Sequence, residues 1–116
     1  MKPERKNFGA PDEIRTPHNT KIEIVTVGGN TVMKTTFMPG WKWSQDIKPM
    51  VGGEVCQAHH FGYQISGTLH VAAAGGEEIE SEAGDVVDIP PGHDAWVMGD
   101  VPVVLIDFGD VEHRKK

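Results

Sequence analysis

The sequence predicts an all-β domain on three observations: a series of short β-favouring runs, Gly and Pro clusters between them, and no convincing 3.6-residue apolar period. Many short strands punctuated in this way make a sandwich or barrel. No internal repeat at solenoid spacing points to a stacked architecture.

Taken in chain order, residues 1–20 carry Pro3, Pro11 and Pro17, several charges and little periodicity, which predicts an arm over the barrel or a partly disordered leader. From Lys21 the pattern changes. Runs at Lys21 to Val27 and Asn30 to Met38, separated by Gly28-Gly29, read as a hairpin. Further runs follow at Val55 to Phe61, Gly62 to Ala73, Glu77 to Ser81, Val86 to Ile89, Ala95 to Met98 and Pro102 to Phe108. Gly75-Gly76, Gly84-Asp85, Pro90-Pro91-Gly92 and Gly99-Asp100 supply the turns. The reading is thus an arm over 1–20, one β-barrel over 21–110 and a basic tail over 111–116.

Composition narrows the function classes. A chain of 116 residues has the length of one domain and can bury roughly two-thirds of its unfolded surface. A net charge of −6 argues against a nucleic-acid or anionic-membrane partner, because phosphate binding depends on clustered Lys and Arg. His113, Arg114, Lys115 and Lys116 are most simply a solvated tail. A single cysteine, Cys56, cannot form an internal disulfide, and no apolar run follows the charged start Met1 to Lys6, so a cytoplasmic protein is expected.

Two stretches resemble the signature motifs of the cupin family, whose second motif runs Gly, five residues, Pro, one, Gly, two, His, three, Asn. Gly84, Pro90 and Gly92 fall at those intervals, but Ala95 stands at the His position and Gly99 at the Asn position. The family's first motif, anchored on Gly67, puts Glu54, Cys56 and His60 at its three ligand positions, with Lys48 at its leading Gly and Gly52 and Gly53 close by. A narrower group of small cupins, mostly without an assigned activity, is similar in Pro39-Gly40-Trp41, Trp43-Ser44 and Ile89 to Val97. The resemblance covers about residues 36 to 108. It implies a cupin-type double-stranded β-helix, a jelly-roll-like barrel, with an internal metal site and homodimer formation.

Strand alternation places Glu54, Cys56 and His60 on one face, toward the barrel interior. Ala95 shares its face with His93, which makes His93 the candidate to replace the missing motif histidine. Imidazole, thiolate and carboxylate suit Zn²⁺ or Fe²⁺ better than the all-oxygen shells of Mg²⁺ or Ca²⁺. The competing reading is a degenerate site, with Cys56 a small buried hydrophobe, His60 hydrogen-bonded in the core and Glu54 near the rim. His59 should point outward. Asp94 could orient the His93 ring or cap the Pro91-Gly92 turn.

Trp41, Trp43 and Trp96 could wall a ligand pocket or plug the barrel, and Trp41 and Trp43 share a face if their segment is extended. Gln64, with the parity of His60, could present its amide to a ligand. Two functions follow as expectations: a metal-dependent oxygenase, isomerase or lyase acting on a small molecule, or a non-catalytic homodimeric binding or sensing module with a degenerate metal site. No Ser-His-Asp spacing, phosphate-binding loop or paired-carboxylate motif offers another catalytic route.

Overall fold

The structure, a computed structural model, describes residues 2–51 and 59–108. In chain order its elements are β1 (Glu13–Arg15), β2 (Thr20–Val27), β3 (Asn30–Phe37), the short helices α1 (Trp43–Asp46) and α2 (Lys48–Val51), then β4 (His60–Ser66), β5 (Thr68–Ala73), β6 (Glu78–Glu82), β7 (Val86–Ile89), β8 (His93–Met98) and β9 (Val103–Asp107). All strand pairs are antiparallel. They form one sheet ordered β1-β2-β3-β9-β4-β7 and a second ordered β6-β5-β8.

The two sheets face each other across one apolar core. Leu69, Val71, Ala95 and Val97 from the smaller sheet meet Val87, Ile89, Val103 and Leu105 from the larger, with Trp41 and Trp43 filling between them. Each contributing strand shows the period of two that burying a single face demands: in β9, Val103, Leu105 and Asp107 are buried, whereas Val104 and Ile106 are only half-buried. A smaller cluster of Ile24 and Met33 closes the end near the β2–β3 hairpin, whose turn is Gly28-Gly29 as expected.

Two local expectations are corrected, and a third lies partly outside the described residues. The run Gly62 to Ala73 is two strands, because Gly67 turns the chain at φ +77° and a side chain there would lie 2.6 Å from the Pro102 carbonyl oxygen. The run Val55 to Phe61 reaches into residues outside the described ones, and strand β4 begins at His60. Residues 1–20 are not merely an arm: Glu13–Arg15 pairs with β2 as an edge strand, and Thr20 already belongs to β2.

The condition under which Trp41 and Trp43 would share a strand face is not met, because the chain turns into a helix at Trp43. Pro39-Gly40 makes a turn closed by the Trp41 amide donating to the Met38 carbonyl at 3.0 Å, and a helical turn follows. The Asp46 carboxylate accepts the Lys42 amide at 2.9 Å while the Asp46 amide donates back to the Lys42 carbonyl, also at 2.9 Å. Ser44 donates its amide to Asp94 on β8 at 3.2 Å. The N–H groups that a helix start leaves without partners are therefore supplied with acceptors by two carboxylates, one of them fifty residues away in sequence.

Candidate functional site

His60 opens β4 opposite Ile89, and His93 opens β8 opposite Ala73, so the two histidines come from different sheets. Their rings meet edge to face, with centroids 5.2 Å apart and planes at 67°. The strand parity inferred for His60 and His93 is the parity observed. His93, Ala95 and Val97 are the buried positions of β8, and Gly62 and Gln64 those of β4.

Each ring has its Nδ1 engaged. His60 Nδ1 lies 2.8 Å from a carboxylate oxygen of Asp107, which is buried at the end of β9, and His93 Nδ1 donates to the Pro90 carbonyl at 2.8 Å. An imidazole holding its proton on Nδ1 carries its lone pair on Nε2. Burial pushes the His93 imidazole below its ordinary value, helped by the neighbouring His60 ring and opposed by the Pro90 carbonyl and Asp94, so the ring is neutral at pH 7.

Asp107 is the site residue that sequence reading missed. Its signal was available: in Val103 to Asp107 the inward alternation of Val103 and Leu105 places a carboxylate on the core face, where an acid needs a partner.

Two rings bound through nitrogens at about 2.1 Å to one tetrahedral ion would have centroids about 5 Å apart, which the observed separation matches. Among the described residues no group of three His, Cys, Asp or Glu side chains is arranged to hold an ion. Glu54 and Cys56 lie outside the described residues.

The other candidates are placed differently. Trp41 and Trp43 are both buried in the core, Trp41 against Phe37 with centroids 4.2 Å apart. Among the described residues the buried Trp41 indole Nε1 has no hydrogen-bond partner. Trp96 does not wall the interior. It alternates with the buried Ala95 and Val97, stacks on His70 at 4.5 Å on the outer face, and lies under the Lys42 ammonium at 5.0 Å.

Gln64 is fully buried, and its amide is spent on the fold. Nε2 donates to the carbonyls of Gly67 at 2.9 Å and Ser81 at 3.1 Å, and Oε1 accepts the Ser81 hydroxyl at 2.6 Å. A ligand would have to displace these bonds to use it.

Asp94 binds the Ser44 and Ala95 amides, so it ties α1 to β8, while the turn carbonyl of Pro90 orients His93. His59 pairs with the exposed Asp88 at the rim. His70 bonds Glu78 at 2.5 Å.

No protein-family model and no curated protein matches this sequence. Solved structures do. An RmlC-like cupin from Shewanella frigidimarina superposes with a TM-score of 0.57 at 20% identity, over 95% of this chain and 96% of that one. The fold is the cupin fold. A cupin-like protein from Thermotoga maritima has a TM-score of 0.55 at 19% identity, over 89% and 77% of the two chains. A protein of unknown function (DUF1255) from Acidithiobacillus ferrooxidans reaches 0.59 at 18% identity, over 83% and 86%. At these identities the cupin likeness describes architecture alone.

Proposed function

We propose that this cupin barrel binds a divalent transition metal, Zn²⁺ or Fe²⁺, through His60 and His93, and a small molecule beside it. One observation carries the reading: two imidazoles from opposite sheets meet at 5.2 Å, each with its Nδ1 held by a separate acceptor, so that Nε2 of both is the basic atom. A carboxylate behind a ligating histidine fixes its tautomer and ring orientation, which is the part we assign to Asp107 toward His60. Glu54 and Cys56, a few residues before His60, are the remaining donors we assign. The metal would polarise a substrate oxygen, which suits an oxygenase, isomerase or lyase. Asp107 and Pro90 hold the rings in register, and the apolar core beneath them excludes water from one side of the site.

A second reading, a non-catalytic binding or sensing cupin, is favoured by the Trp41 indole. A buried N–H without a partner costs about 1–3 kcal/mol, and a bound small molecule with an acceptor oxygen would recover it.

Elemental analysis of protein purified without added metal or chelator separates the two. Near-stoichiometric Zn or Fe is expected, lost roughly tenfold or more in His60→Ala and His93→Ala and retained in His59→Ala. A folded protein that carries no metal and takes up neither added Zn²⁺ nor Fe²⁺ would overturn the metal reading. A small organic molecule released from that metal-free protein and seen by mass spectrometry would support the second.

A further inference from the structure

Every Lys and Arg of this chain lies at or before Lys48 or within Arg114 to Lys116, so the strands from β4 to β9 carry none. The smaller sheet carries Glu78, Glu80, Glu82 and Asp94 instead. The three glutamates alternate along one face of β6, at strand positions about 6.7 Å apart. Among the described residues their ion-pair partner is His70, which meets Glu78 at 2.5 Å and Glu80 at 3.6 Å. Like charges in such a row repel one another, and a matching row of cations would relieve that repulsion.

The same strand is an open sheet edge: β6 ends the smaller sheet, with β5 on one side. The Ala73 amide donates to the Glu77 carbonyl at 2.8 Å, which makes these two a hydrogen-bonded pair. Ile79 and Ser81 follow by alternation, so Glu78 and Glu80 aim their N–H and C=O groups away from β5. Past them the edge is closed, because the Glu82 amide donates to the Asp85 carboxylate at 2.8 Å and the Glu82 carbonyl accepts the Asp85 amide at 3.0 Å. Ile79 has the inward parity of the buried Ser81, yet it keeps 50% of its surface in water. Main-chain groups, two carboxylates on the outer side and an uncovered apolar side chain on the inner side therefore meet at one short stretch of edge.

Charge on an edge strand commonly keeps other strands away. Carboxylates do so toward acidic and neutral strands, and they attract a basic one. We propose that the free edge of β6 receives an extended basic segment of a partner protein, added as an antiparallel strand. Residues opposite each other across such a pair share a face, so Lys or Arg stands opposite Glu78 and Glu80, and an apolar residue between them covers Ile79. Main-chain hydrogen bonds to Glu78 and Glu80 supply the affinity, and the alternation of cation and apolar side chain supplies the selectivity.

The test uses the full chain and a synthetic peptide, acetyl-Thr-Lys-Val-Lys-Val-Lys-Thr-amide, followed by amide NMR and calorimetry. Saturable binding with Kd at or below about 100 µM is expected, with the largest amide shifts at Glu78, Ile79 and Glu80. The same peptide with Glu in place of Lys should not bind. Glu78→Lys combined with Glu80→Lys, both at exposed positions, should weaken binding roughly tenfold or more while circular dichroism shows the fold retained. In the antiparallel arrangement the lysine N–H groups face β6, so N-methylation at the lysines should abolish binding and N-methylation at the valines should spare it. Binding that survives N-methylation at the lysines is attraction to an acidic surface alone and overturns the added strand. No binding at about 1 mM overturns it as well. Binding that appears only after residues 111–116 are removed means that the chain's own basic tail holds the edge, and it refutes the partner. None of these readouts involves His60 or His93, so this edge and the metal site stand or fall separately.

Discussion

Replacing Ser81 by Ala should destabilise the protein although it removes a single oxygen atom. The Ser81 hydroxyl donates to Gln64 Oε1 at 2.6 Å in a fully buried setting, and Gln64 Nε2 returns a bond to the Ser81 carbonyl at 3.1 Å. Without the hydroxyl, Oε1 is left buried with a missing donor, at a cost of about 1–3 kcal/mol. Gln64→Ala goes further: it opens a cavity and strips the donor from the Gly67 and Ser81 carbonyls, for about 3–5 kcal/mol. The two losses overlap, so the double variant should cost less than their sum by about 1–2 kcal/mol. Urea or thermal unfolding followed by circular dichroism reads these values, each kcal/mol lowering Tm by roughly 4 °C in a domain of this size. A Ser81→Ala variant as stable as wild type, or a double variant whose loss is strictly additive, would refute the clamp and return Gln64 to the list of groups available to a ligand.

Two pH windows should be visible in stability. The His93 imidazole is held below its ordinary value by burial, so the unfolded chain takes up a proton first; stability is full above about pH 7 and falls as pH drops through about 6.5, and His93→Gln removes that step. Burial pushes the Asp46 carboxyl up, but the Lys42 amide and His18 outweigh it and hold it below the usual range. Its contribution is therefore present above about pH 4 and lost as pH falls further, and Asp46→Asn should abolish this second step in the same titration. Gly62→Ala would put a methyl group 2.0 Å from the Ile106 carbonyl oxygen and must part β4 from β9. A loss of about 3 kcal/mol or more in unfolding free energy, or failure to fold, is expected. Trp96→Ala, on the outer face, should cost about 1 kcal/mol through the lost His70 and Lys42 contacts and leave metal content unchanged; loss of metal would place Trp96 back at the site.

What could be read from the sequence was what local chemistry decides. Gly28-Gly29, Pro90-Pro91-Gly92 and Gly99-Asp100 mark real turns because φ preferences act within a residue or two, and alternation sorted His93, Ala95 and Val97 inward. What could not be read depends on partners far along the chain. The helical turn at Trp43 depends on Asp94, the tautomer of His60 on Asp107, and the outward position of Trp96 is made useful by His70 on the neighbouring strand. Gln64 was placed on the correct face, yet its role turned on Ser81, seventeen residues later, whose hydroxyl no periodicity announces.

Strand β9 occupies the middle of the larger sheet, between β3 and β4, although it follows every other strand in chain order. Met33 therefore waits for Asp107, seventy-four residues downstream, before its strand gains a second neighbour. During synthesis the earlier hairpins can form on their own, but the inner faces of β3 and β4 stay apart and wet until β9 is inserted between them. The same residue that ends this strand supplies the carboxylate behind His60. Closure of the barrel and completion of the histidine pair are thus a single late event in folding, and a chain cut short before Asp107 would lose both together.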